Sequence, residues 1–238
     1  MLENINLHKV LFLDIETVPG TDSWDNINED LQNLWIKKTQ YRRSQTEFSP
    51  KEFYEKEAGI WAEFGKIICI SVGYITNFEK IRIKSFYGDN EFQVLTEFAE
   101  LLSRHFYSSQ SVLCAHNGKE FDFPYLSRRM LIHQIKLPNI LNLFGKKPWE
   151  VPHLDTMELW RFGDYKHYTS LALLAEIFGI PTPKDDIDGS MVSEVYYKEN
   201  DLERIKSYCE KDVLTIAQIL RKMRYEPLLE IDSTNDEY

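Results

Sequence analysis

The apolar run Val10-Leu11-Phe12-Leu13 passes directly into Asp14-Ile15-Glu16-Thr17 and then Pro19-Gly20. A short apolar run closed by turn residues is the pattern of a buried strand, and residues two apart on a strand leave the same face. Asp14 and Glu16 therefore project together from a rigid element. Two divalent ions about 3.5–4 Å apart can align an attacking water and stabilise the leaving oxygen of a phosphodiester, and hard cations such as Mg²⁺ take oxygen ligands. A solvated turn or a helix cap presents the same pair, so the metal reading requires further carboxylates at the same point.

Downstream, the hydrophobic period changes repeatedly. Residues 21–62 are polar and helical in pattern, with Trp24, Leu31, Leu34, Trp35, Phe53 and Tyr54 as apolar positions and Ser49-Pro50 as a helix start; they are read as a helical insertion bordering the Glu16 strand end. Lys66–Thr76 and Lys80–Tyr87 form a β-hairpin pattern around Asn77-Phe78-Glu79. Glu91–Phe106 has the spacing of an amphipathic helix. Ser111–Ala115 is a short strand leading through His116-Asn117-Gly118 into a helix with Phe121, Asp122, Tyr125 and Arg129. The order βββαβα follows. A strand at Val151–Leu154 then runs into a helix to Trp160, and Thr169-Ser170 caps a helix ended by Gly179. After a loop with Pro181, Pro183 and Gly189, the last helix spans Asp201–Met223. The division is a single domain over 1–225 and an acidic, frayed tail over 226–238.

Two later segments carry acids that could meet Asp14 and Glu16. Asp122 stands where a strand end meets a helix start, with Pro124 supporting that start; Glu120 competes with it, and spacing alone does not choose between them. In Tyr208-Cys209-Glu210-Lys211-Asp212, Tyr208 and Asp212 share a helix face. A phenol there can orient the attacking water or help deprotonate it, although its ordinary pKa near 10 leaves most of the acidification to a metal.

Taken together and in this order, Asp-Ile-Glu-Thr, Asn-Gly-x-x-Phe-Asp and Tyr-x-x-x-Asp resemble the three exonuclease motifs of the DEDD superfamily, and the tyrosine resembles its DEDDy subgroup. From Tyr168 to Val213, Ser-Leu-x-x-Leu-Ala-x-x-Phe-Gly-Ile-Pro, Gly-Ser-x-Val and Tyr-Cys-Glu-x-Asp-Val are similar to predicted stand-alone exonucleases related to the proofreading domain of family B DNA polymerases. The resemblance covers the chain apart from the insertion and the tail. It implies an α/β, ribonuclease-H-like fold, with three antiparallel strands continued by parallel ones and flanked by helices. It also implies two Mg²⁺ or Mn²⁺ ions on Asp14, Glu16, Asp122 and Asp212, chosen over Glu120, with Tyr208 positioning the water. The implied reaction releases nucleoside 5′-monophosphates from the 3′ end of a single-stranded nucleic acid, DNA favoured over RNA.

Other residues have weaker claims. Thr17 and Asn117 could hold the terminal nucleotide, or be strand packing and a turn. Phe121 and Phe123 flank Asp122, and one could stack on a base or both lie in the core. Asp155 could support the site or cap a helix; His116 and His167 could touch phosphate or water, or be ordinary hydrogen-bonding residues. Lys37-Lys38, Arg42-Arg43, Arg128-Arg129 and Lys146-Lys147 could line a nucleic-acid path or simply be solvated.

The net charge of −10 argues against a binder that works by covering many phosphates, although a local groove on an acidic protein can still be basic. Cys69, Cys114 and Cys209 form no CxxC pair and read as buried thiols of a reducing compartment. No apolar run reaches the length of a membrane span or signal peptide, so a cytoplasmic protein is expected. The alternatives are a binding protein that lost the reaction, an endonuclease on the same fold and an RNA-specific exoribonuclease. No polymerase domain fits in 238 residues, so a proofreading role would need a separate polymerase or repair partner.

Overall fold

The computed structural model describes residues 2–76, 79–164, 166–182 and 187–232. Strand β1 (Val10–Pro19) is longer than its apolar run: it pairs antiparallel with β2 (Gly65–Ile75) as far as Pro19 opposite Gly65, so Asp14 and Glu16 lie mid-strand. β2 pairs antiparallel with β3 (Lys80–Tyr87). The expected turn residues Asn77 and Phe78 lie outside the described residues, as does Pro183. On the other side of β1, β4 (Val112–Ala115) runs parallel, followed by β5 (Leu154–Asp155), shorter than the strand expected at 151–154.

Among the described residues the sheet has the order β5-β4-β1-β2-β3-β6. The last strand, β6 (Glu230–Ile231), is one the sequence did not foretell: it pairs parallel with Lys80 and Ile81, and Asp232 binds Arg82 at 2.9 Å. The start of the tail is thereby held. Leu229 is buried, and its backbone N–H and C=O bond the Gln218 side chain at 2.8 Å each. Residues 233–238 lie outside the described residues.

Helices cover both faces. The insertion supplies α1 (Glu29–Arg43) and α2 (Pro50–Glu57), the latter opened by the Ser49/Glu52 capping box. They enclose a small aromatic core of Trp35, Phe53, Tyr54 and Phe64. α3 (Glu91–His105) and α4 (Asp122–Ile132) pack on one sheet face through Leu95, Phe98, Phe123 and Leu126. α5 (Thr156–Arg161) and α6 (Leu171–Ile177) follow, the latter capped by Ser170. A short α7 (Val192–Glu194), continued by a wide turn over Val195–Glu199, precedes α8 (Leu202–Met223). α8 lies on the opposite face of the sheet, its Val213, Ile216 and Leu220 packed on Val10 and Phe12. No helix of the described residues is long and apolar enough to cross a membrane.

Candidate functional site

β4 accompanies β1 only as far as Phe12, opposite Cys114. Beyond that point β4 no longer covers the edge of β1, and Asp122, the first residue of α4, is close enough to the Ile15 backbone for it to favour the charged carboxylate. Asp122 is 3% exposed, and its Oδ1 has no hydrogen-bond partner. Glu120, by contrast, is exposed and pairs with Arg161 at 3.4 Å. The structure thus brings Asp122, not Glu120, to the strand acids.

Asp14 and Glu16 point to the face covered by α8. A β-bulge follows at Glu16/Thr17, with Cys69 opposite Glu16 and Ile67 opposite Thr17. Asp212 and Tyr208 approach from α8, one turn apart, and the Asp212 charge acts on the phenol. Burial, first, and then the charges of Glu16, Asp212 and Asp122 push the Asp14 carboxyl well above the usual range. Glu16 is raised by burial and by Asp212, Cys69 and Asp122. Burial pushes Asp122 up to about 7. Tyr208 is also raised, by burial and by the charges of Asp212, Glu16 and Asp14.

Carboxylates gathered in buried or half-buried positions repel one another unless positive charge joins them. The unpaired Asp122 Oδ1 is an oxygen donor without a partner, and the oxygen-rich set suits a hard divalent ion. The residues present therefore fit Mg²⁺ or Mn²⁺. Cys209 was missed as a neighbour. Its Sγ lies 3.4 Å from both Asp14 Oδ2 and the Asp14 carbonyl, and donor atoms of Asp14, Glu16 and Cys209 fall within 4.8 Å of one another. The only sequence signal was its position between Tyr208 and Asp212. All three cysteines are buried and free.

The remaining expected residues separate. Asn117 has a left-handed backbone (φ 64°), and its N–H bonds Asp155 at 3.0 Å; its side-chain Oδ1 is unpartnered. Asp155 has both roles considered for it: it caps α5 through the N–H groups of Met157 and Glu158, and it holds the turn before Asp122 through Asn117 and Lys119. Thr17 is half-buried on β1, and the neighbouring Tyr125 hydroxyl donates to the Gly59 carbonyl at 2.7 Å. Phe121 is half-buried against Tyr125. Phe123 is fully buried and packs on His153, which leaves no face for a base. His116 bonds Thr156 and the Thr169 carbonyl, and His167 pairs with Asp164 on the surface.

The basic clusters also divide. Arg129 is buried in an ion pair with Glu91 and so lies off any nucleic-acid path. Lys38 and Arg42 lie over Trp61 and pair with Glu63 and Glu57. Arg128 and Lys146 instead face one groove.

Comparison with known proteins gives a consistent picture. A family model described as "Predicted 3'-5' exonuclease related to the exonuclease domain of PolB" matches residues 60–238. Among solved structures, the fold is similar to the family B DNA polymerase from the hyperthermophilic archaeon Pyrobaculum calidifontis, with a TM-score of 0.56 and 16% identity. That match covers 91% of this chain and 24% of the polymerase, so the chain spans about a quarter of that protein's length. No curated protein matches.

Proposed function

The chain belongs to the family of predicted 3′-5′ exonucleases related to the exonuclease domain of PolB, and from that premise we propose that it shortens single-stranded nucleic acid, preferentially DNA, from the 3′ end and releases nucleoside 5′-monophosphates. The observation that carries the reading is that Asp14 and Glu16 oxygens lie within 4.8 Å of each other and feel the charges of Asp122 and Asp212, with an Asp122 oxygen left unpaired among the described residues. These four side chains would hold two Mg²⁺ or Mn²⁺ ions. When bound, the ions neutralise charge on the scissile phosphate and acidify the attacking water.

The chain's own groups do the rest. Tyr208, one helical turn from Asp212 on α8, orients the attacking water, whose acidification is left to the ions. The Asp155-held turn fixes the start of the helix that carries Asp122. Asn117 and Thr17 are the polar candidates for the terminal nucleotide, and Phe121 offers a partly open ring for stacking. The preference for DNA rests on the polymerase-related family.

The test is cleavage of end-labelled single-stranded DNA and RNA of matched sequence with Mg²⁺, Mn²⁺ or EDTA, beside an Asp14→Ala, Asp212→Ala double variant. A metal-dependent ladder receding from the 3′ end, and absent in the variant, is expected. Intact substrate under every metal, with binding retained, would leave a binding protein as the better account.

A further inference from the structure

A groove of about 620 Å³ runs along the outer face of α4, opposite the segment 137–151. That size is typical of a ligand site. Its walls are apolar, formed by Leu131, Leu137 and Leu141 among others. One end reaches Lys119 and Asp155, at the carboxyl ends of β4 and β5, the edge where open α/β sheets place their ligands. Lys119, Glu120 and Phe123 in the groove's lining flank Asp122 in the chain, so this end lies at the start of the helix that carries a site carboxylate.

The cations around the groove differ in kind. Lys119 and Arg161 are compensated by Glu158 and Glu120. Arg128 and Lys146 are exposed and, among the described residues, have no ion-pair partner. Two exposed cations outside any described ion pair face one groove on a chain of net charge −10. Beside Lys146, Phe144 leaves 71% of its surface open at the mouth. Cations on the rim and an open aromatic ring are the parts of a single-strand track.

We propose that this groove carries the single-stranded nucleic acid upstream of the reacting 3′ end, with Arg128 and Lys146 on backbone phosphates and Phe144 and the leucine wall against bases. It rests on the exonuclease reading of the carboxylate site. An acidic apolar peptide could use the same cations, but the open aromatic ring and the groove's end at the start of α4 favour the nucleic acid.

The test compares an Arg128→Gln, Lys146→Gln variant with the unaltered protein on a dinucleotide, which reaches only the reaction centre, and on a single strand of about 12 nucleotides. The ratio of KM for the long strand to KM for the dinucleotide should rise roughly tenfold. The slope of log Kd against log salt for the long strand should flatten by about 1.4, at about 0.7 per lost phosphate contact. Arg104→Gln, an exposed cation on α3, should change neither. An unchanged KM ratio and salt slope would overturn the proposal while leaving the exonuclease standing. If neither substrate is cut, the exonuclease reading fails, and the groove is judged on Kd alone by fluorescence anisotropy: weaker binding by the variant supports it and equal binding overturns it. Variant-sensitive binding of an acidic, leucine-containing peptide, with oligonucleotide affinity unchanged, would reassign the groove to a protein partner.

Discussion

Single residues in this protein are set against their own stability. Asp14 is half-buried within reach of the charges of three other acids, and its own charge is disfavoured whenever no cation is present. Asp14→Asn should therefore reduce cleavage to background yet raise Tm in EDTA at pH 8 by about 2–4 °C, if the relief is about 1 kcal/mol. A Tm lowered by the substitution would show that the carboxylate is structurally satisfied. His153 shows the opposite dependence on pH. Its Nδ1 accepts from the Leu113 N–H at 3.3 Å, its Nε2 faces the Ile140 carbonyl at 2.9 Å, and burial lowers its pKa to about 4. The folded imidazole is thus neutral where the unfolded one, near 6.5, takes a proton. Its contribution is complete above about pH 6.5 and is lost as pH falls towards 4. The stability difference between the protein and a His153→Asn variant, from urea unfolding, should shrink over that window; a constant difference would refute the assignment.

At the level of elements, one buried pair joins pieces that the sequence lists separately. Arg129 on α4 forks onto Glu91 at the start of α3, donates to the Ala62 carbonyl at the end of the insertion, and sits beside His133. Glu91 also accepts from the Ile67 N–H of β2 at 2.8 Å. Removing one partner leaves the other charge buried, so Arg129→Met should cost about 3–5 kcal/mol in urea unfolding. Arg128→Gln, one residue away but exposed, should stay within about 0.5 kcal/mol. Equal effects would mean that the two arginines are not divided between core and surface. The insertion is fastened in a related way: Gly59 packs so tightly on β1 that a Cβ there would lie 3.2 Å from the Val18 backbone, and its carbonyl accepts from the Tyr125 hydroxyl at 2.7 Å. The insertion therefore supports the end of the strand that carries Glu16 and Thr17.

For the whole molecule, folding and cation binding should be one linked equilibrium. Mn²⁺ or Mg²⁺ at about 100 times Kd should stabilise the fold by about 2.7 kcal/mol, seen as a higher Tm in calorimetry, reversed by EDTA and absent in the Asp14→Ala, Asp212→Ala variant. An unchanged Tm, with cleavage intact, would mean that the ions join only with substrate. What the sequence determined by itself was local: the period-two and period-3.6 patterns, the caps at Ser49 and Ser170, and the placing of Asp14, Glu16, Asp122, Tyr208 and Asp212 on particular elements. Those readings needed only near neighbours, because strand alternation and helix spacing act over a few residues. Tertiary structure decided whatever depended on distant partners. β6 exists because the edge of β3 was open to Glu230 and Ile231, Arg129 left the surface because Glu91 lay within reach, and Phe123 turned from candidate base platform to core. Cys209 joined the carboxylates only when α8 crossed β1. In each case burial and pairing across the chain set the outcome, and no local spacing records which residue the fold will bring alongside.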